Sequence, residues 1–171
     1  MSKLQICSLR YFMVSLVVMS TFVTMCHAQP GKGRKLIREG NIEYEQGKFD
    51  EAEVTYRKAI EADGESYPGS YNLGNSLYKQ EKYDDAIKRY QESMTKVSDK
   101  KEESGNWHNI GNSLLKSGKL EESIEAYKNA LRLDPADDDT RYNLAYAQQL
   151  LRKQQQQQQN DQNNDQQDQD E

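Results

Sequence analysis

Cysteine, proline, histidine and phenylalanine are all scarce here: two, three, two and three residues in a chain of 171. Both cysteines, Cys7 and Cys26, lie within the first 28 residues. A chain relieved of that stretch has no disulfide, no thiol nucleophile and no cysteine-held metal. It also keeps a single histidine, His108, so a paired acid–base site has little raw material. Basic excess is missing too. The formal net charge is -5, and losing Lys3 and Arg10 takes it to -7, which argues against a nucleic-acid partner.

What is present at the ends is easily read. Lys3 and Arg10 charge the start, an apolar run occupies residues 11–23, and Cys26-His27-Ala28 offers small residues for cleavage. Residues 1–28 therefore read as a secretory signal peptide, which places the mature chain outside the cytoplasm. Two alternatives stay open. The run could remain as an inner-membrane anchor, although it is shorter than the roughly 20 residues a spanning helix needs. Cys26 could instead carry a lipid, although Met25 is bulkier than the small residue usual before a lipidated cysteine. At the other end, residues 154–171 contain only Gln, Asn, Asp and a final Glu. Such a segment buries nothing, and its expected state is a disordered, anionic tail, although glutamine also extends helices readily.

The middle of the chain repeats itself. Gly40-Asn41, Gly74-Asn75 and Gly111-Asn112 recur at spacings of 34 and 37 residues. Matching sets follow: Phe49, Tyr83, Leu120; Ala52, Ala86, Ser123; Tyr56, Tyr90, Tyr127; Ala59, Ser93, Ala130. A period near 34 with small and aromatic residues at fixed places predicts pairs of antiparallel helices stacked in an array. The glycine lets the first helix approach the second, the small residue returns the favour, and the aromatic ring fills the space between units. Asp50-Glu51, Asp84-Asp85 and Glu121-Glu122 suit the positive ends of the second helices. Turns are expected at Gln46-Gly47-Lys48, Glu81-Lys82 and Ser117-Gly118-Lys119.

Each unit resembles the tetratricopeptide-repeat (TPR) motif. In the third, Trp107, Ile110, Gly111, Leu114, Ser123, Tyr127, Ala130 and Pro135 occupy its signature positions. The resemblance implies an all-α fold, a right-handed α-solenoid of three helical hairpins with a C-terminal capping helix. The expected organisation is signal peptide 1–28, linker 29–32, first repeat 33–66, second repeat 67–100, a loop insertion at 101–103, third repeat 104–137, capping helix 138–153 and tail 154–171. The first unit departs most from the motif, with Glu39 and Glu43 at usually apolar places and Gly64 where proline is common. Its outer helix is expected to face solvent.

The resemblance also supplies a candidate site. First helices line the concave face of a TPR array, which would put Ile37, Asn41 and Tyr44, then Tyr71, Asn72, Asn75, Tyr78 and Lys79, then His108, Asn109, Asn112 and Lys116, and finally Tyr142 and Asn143, along one groove. Asparagine amides both donate to and accept from a peptide backbone, and tyrosine offers a flat face with a polar tip, so the implied ligand is a protein or peptide. No cofactor, metal or small-molecule substrate is expected, and no catalysis. The carboxylate pairs are explained by helix ends, and His108 has no evident partner along the sequence. Some TPR proteins grip a C-terminal carboxylate with lysines and arginines. This chain keeps Asn41 and Asn72 of that pattern but has Ile37, Gly105 and Asn109 at its basic places.

The whole layout resembles the small exported TPR proteins of Bacteroides aerotolerance (Bat) operons. Its least generic parts are the run Asp138-Asp139-Thr140-Arg141-Tyr142-Asn143-Leu144-Ala145 and the glutamines that follow. That resemblance implies an adaptor or scaffold in a periplasmic complex with membrane-anchored von Willebrand factor A-domain proteins, linked to survival of oxygen stress. A periplasmic holdase-like chaperone for exported clients is the alternative.

Overall fold

The computed structural model describes residues 31–63 and 67–167, with side chains to residue 160. The expected signal peptide, with Cys7 and Cys26, lies outside the described residues. Among those described, seven helices follow one another: α1 (Lys32–Glu45), α2 (Phe49–Asp63), α3 (Tyr67–Lys79), α4 (Tyr83–Met94), α5 (Lys100–Lys116), α6 (Leu120–Leu133) and α7 (Asp138–Gln167). Each packs chiefly on its neighbours in sequence, giving three hairpins, α1–α2, α3–α4 and α5–α6, closed by α7. The result is an all-α TPR-type solenoid.

Three tyrosines make the hairpins. Tyr56, Tyr90 and Tyr127 are at most 1% exposed, and each ring lies flat against a glycine of the preceding helix. A Cβ on Gly40, Gly74 or Gly111 would sit 2.7, 2.6 or 2.5 Å from a ring carbon of its tyrosine. Small residues on the second helix, Ala52, Ala86 and Ser123, then Ala59, Ser93 and Ala130, are completely buried at the same register. Where serine replaces alanine its hydroxyl is satisfied: Ser123 donates to the Gly111 carbonyl at 2.9 Å, and Ser93 to Asn106 and to the Tyr90 carbonyl. Buried polar groups without partners would be costly at such close packing.

The three tight turns share one geometry. Gly47, Glu81 and Gly118 adopt positive φ of 77°, 62° and 77°. In each, the following residue's N–H reaches back to a carbonyl five residues earlier: Lys48 to Glu43 at 3.0 Å, Lys82 to Leu77 at 2.9 Å and Lys119 to Leu114 at 2.9 Å. This left-handed cap satisfies the last carbonyls of the first helix, and glycine is its natural occupant.

Two expectations need correction. Residues 101–103 are not a loop insertion. Asp99 caps α5, accepting from Lys101 and Glu102 N–H at 2.7 and 3.2 Å, and Glu102 and Glu103 favour its positive first turn, so the extra residues lengthen the helix. The capping helix likewise does not stop at residue 153. Beyond Leu151, whose row with Leu144 and Ala147 covers Ile124 and Tyr127, it runs through the glutamines as far as Gln167. Glutamine propagates an already nucleated helix even though residues 152–160 bury nothing. The first helix, α1, completely buries only Gly33 and Gly40, as suits an outer helix.

Two substitutions test these features by denaturant unfolding. Gly111→Ala is expected to lose about 1–3 kcal/mol, because its methyl collides with the enclosed Tyr127 ring. Glu81→Gly is expected to gain about 1 kcal/mol by relieving the left-handed backbone of a residue that bears a Cβ. A destabilised Glu81→Gly chain would refute the turn assignment.

Candidate functional site

The helix-pairing tyrosines also organise the concave side. Tyr56 donates its hydroxyl to Asn41 Oδ1 at 2.7 Å, Tyr90 to Asn75 Oδ1 at 2.9 Å and Tyr127 to Asn112 Oδ1 at 2.7 Å. The same oxygens receive a second bond from the next hairpin: Asn72 Nδ2 on Asn41 at 2.9 Å, Asn109 Nδ2 on Asn75 at 3.3 Å and Asn143 Nδ2 on Asn112 at 3.0 Å. Asn109 also donates to the Tyr71 hydroxyl at 3.0 Å. One ladder of hydrogen bonds thus runs from α1 to α7.

The ladder leaves a regular remainder. With their oxygens doubly engaged, Asn41, Asn75 and Asn112 keep Nδ2 donors that bond to no other described residue, and Asn72, Asn109 and Asn143 keep Oδ1 acceptors in the same condition. Every hairpin junction therefore offers one donor and one acceptor, the two functions of a peptide backbone.

Two depressions open along this face. A small one of about 100 Å³ is lined by Asn41, Tyr44, Glu45, Tyr56, Asn72 and Asn75. A larger one of about 360 Å³ is formed by Tyr78, Asn112, Leu115, Lys116, Tyr142, Asn143 and Tyr146. Tyr142, 72% exposed, and Tyr146, 46% exposed, stand at its α7 wall. Burial raises the Tyr44 and Tyr78 hydroxyls above the ordinary tyrosine value, with neighbouring phenols adding to it. Both remain neutral donors at physiological pH.

Most of the expected groove residues are thus gathered here, through the ladder or the two depressions. Ile37 is half-buried and Lys79 exposed, and neither lines a depression. His108 is a correction. It lines neither depression and is tied into the α5–α6–α7 junction, with Nδ1 2.5 Å from Thr140 Oγ1 and its ring edge-on to Tyr127 at 6.0 Å. Thr140 in turn donates to Asp137. Its single proton is spent there, so His108 Nδ1–H must donate to it. This His–Thr–Asp chain is structural, because Thr140 is completely buried and no reacting group could reach its hydroxyl. Glu45, Leu115 and Tyr146 were missed by sequence reasoning. Tyr146 was findable, since it lies 34 residues beyond Asn112, one repeat on in the same register.

Among the described residues no group of three or more His, Cys, Asp and Glu side chains is placed to hold a metal, and no helix is long and apolar enough to cross a membrane.

Stacked helical hairpins with a polar, tyrosine-walled concave face define an α-solenoid repeat module. One family model, described as a tetratricopeptide repeat, matches residues 37–96, and another, described as a TPR repeat, matches residues 111–151. Over these two stretches the chain consists of tetratricopeptide repeats. No curated protein matches its sequence significantly. Among similar solved structures is the first TPR of Spaghetti (RPAP3) bound to the HSP90 peptide SRMEEVD, 24% identical with a TM-score of 0.67, covering 74% of this chain and 98% of that one. The TPR2AB domain of yeast Sti1 in complex with pHSP90 is 28% identical with a TM-score of 0.66, covering 72% of this chain and 48% of that one. MamA from Desulfovibrio magneticus RS-1 is 20% identical with a TM-score of 0.64, covering 74% and 68%.

The His108 junction carries a pH prediction. Burial pushes the imidazole below its ordinary value, outweighing the carboxylates of Asp137 and Asp139, and the 4.0 Å separation from Asp137 is too long for a strong pair. The unfolded chain therefore binds the proton more tightly than the folded one. Stability is full above the unfolded value of about 6.5 and declines as pH falls below it. Denaturant unfolding between about pH 7 and 5 is expected to show this decline, and His108→Gln to flatten it. An identical slope in the variant would remove His108 as its source.

Proposed function

We propose that this chain is an exported adaptor that holds an extended protein segment along the α1–α3–α5–α7 groove and catalyses no reaction. The observation that carries the reading is the asparagine ladder. Its internal bonds fix the amides in place and leave one donor and one acceptor per junction, a pattern suited to main-chain groups and indifferent to sequence. Tyr142 and Tyr146 add an aromatic wall at one end for an apolar side chain. The HSP90 peptide bound in the RPAP3 structure supports a peptide as ligand. Ile37, Gly105 and Asn109 stand at the places where a basic carboxylate grip would need lysine or arginine, so the segment held here is not recognised by a terminal carboxylate.

The particular reading is the TPR protein of a Bacteroides aerotolerance complex, BatC, acting in the periplasm with membrane-anchored von Willebrand factor A-domain proteins. Its support is the signal-like residues 1–28, the 138–145 run and the glutamine-rich end.

The test uses a variant that spares the tyrosine bonds. Asn72→Ala, Asn109→Ala and Tyr142→Ala together remove acceptors and an exposed ring while leaving Tyr56, Tyr90 and Tyr127 paired. The variant is expected to keep its helicity yet recover at least about tenfold less partner from intact membranes, since each lost bond contributes about 1 kcal/mol. Equal recovery would sink the groove. Recovery of many unrelated unfolded clients, with no von Willebrand factor A-domain protein among them, would favour the holdase.

A further inference from the structure

The repeat register exposes an asymmetry on the side away from the groove. Between α2 and α4, Glu53 bridges the two helices, hydrogen-bonded by Arg57 and by Lys82 at 2.7 and 3.0 Å. Burial would raise this carboxyl, but bonds from Arg57, Lys82 and Gln80 hold it down at about 2. One repeat on, the equivalent of Glu53 is Ile87, and the position held by Arg89 on α4 is Ala126 on α6. The bridge cannot form, and Lys119, the counterpart of Lys82, turns to Asp84 instead. One repeat further, Ile124 takes the place of Ile87 and is covered by α7. Only at the α4–α6 junction is the apolar position left open among the described residues.

There a cleft of about 390 Å³ has Ile87, Trp107, Ile110 and Ala126 as its floor and Glu121, Glu122 and Glu125 on its rim. Glu125 pairs with Lys128, and no cation lines the cleft. An apolar side chain flanked by positive charge would fit it.

Such a group is displayed by α1. Ile42 is 56% exposed, although its repeat equivalents, Ser76 and Ser113, are completely buried by the neighbouring hairpin. Arg38 and Lys35 lie four and seven residues before it, on the same helical face, and both are exposed and in no ion pair with a described residue.

We propose that copies of this chain associate head to tail, Ile42 of one seating in the α4–α6 cleft of the next with Arg38 and Lys35 against Glu121 and Glu122. The contact joins two different surfaces, so it propagates as an open row of copies. It is small and charge-assisted, hence weak and salt-sensitive. The proposal does not depend on the peptide-binding reading, since the cleft lies away from the groove and Ile42 stands on the uncovered end face of α1.

The test is sedimentation of the purified chain over a range of concentrations. Reversible association is expected at low salt, weakening on the order of tenfold by about 0.3 M salt. Because Trp107 is the sole tryptophan, its emission should shift to the blue as the cleft fills. Ile42→Ser should abolish both signals. Arg38→Glu and Glu122→Lys, each folded by circular dichroism, should fail to associate alone, yet an equal mixture should associate again, because both contacts in the mixed row then join opposite charges. A chain monomeric at every concentration overturns the proposal. So does association that survives Ile42→Ser, and so does a mixture that stays monomeric.

Discussion

A tyrosine ring lying on a glycine is the contact on which everything else in this array depends. It sets how closely the two helices of a hairpin approach, since no side chain can stand where the ring of Tyr56, Tyr90 or Tyr127 lies. A flat ring filling that space brings large apolar burial and a polar tip in one residue. The tip emerges on the concave side and takes the oxygen of Asn41, Asn75 or Asn112. Core packing and groove chemistry are thus two ends of the same side chain, and neither changes without the other.

That coupling explains why the groove is ordered without a ligand. An amide side chain on an open surface would rotate freely, and holding it for a partner would cost entropy on binding. Here the amide oxygens of Asn41, Asn75 and Asn112 are each gripped twice, once from within the hairpin and once from the next. The remaining donors and acceptors are already presented at the repeat interval, so the ordering cost falls on folding instead of on recognition. The same ladder ties α7 to the third hairpin through Asn143, and His108 with Thr140 and Asp137 ties it a second time.

The outer side follows a different logic. Its helices meet through residues the repeat motif does not prescribe, and each junction is solved separately: an ion network around Glu53, an open apolar cleft at Ile87, and a covered one at Ile124. Variation is tolerated there because the tyrosine–glycine contacts already fix the helix spacing. Features particular to this chain therefore accumulate on the outer face.

Most of the architecture was legible in the residues themselves. Glycine, small residue and aromatic recur at spacings of 34 and 37, and that pattern alone pointed to the hairpins and their turns, because a periodic sequence can bury its stripe only by stacking on its own copy, while the concave set followed from the TPR resemblance. The expectation of a loop at 101–103 failed because helix ends are decided by local capping competing with chain length: Asp99 could nucleate a turn earlier than the repeat period suggested. The helical glutamines eluded the sequence for a related reason, since composition tells what can be buried and not whether a helix begun elsewhere will run on. Only the tertiary structure decided what His108 touches, which oxygens of the asparagines are spent, and where the outer junctions close or gape. Those depend on atoms from segments some 30 residues apart meeting within about 3 Å, and no periodicity encodes a distance.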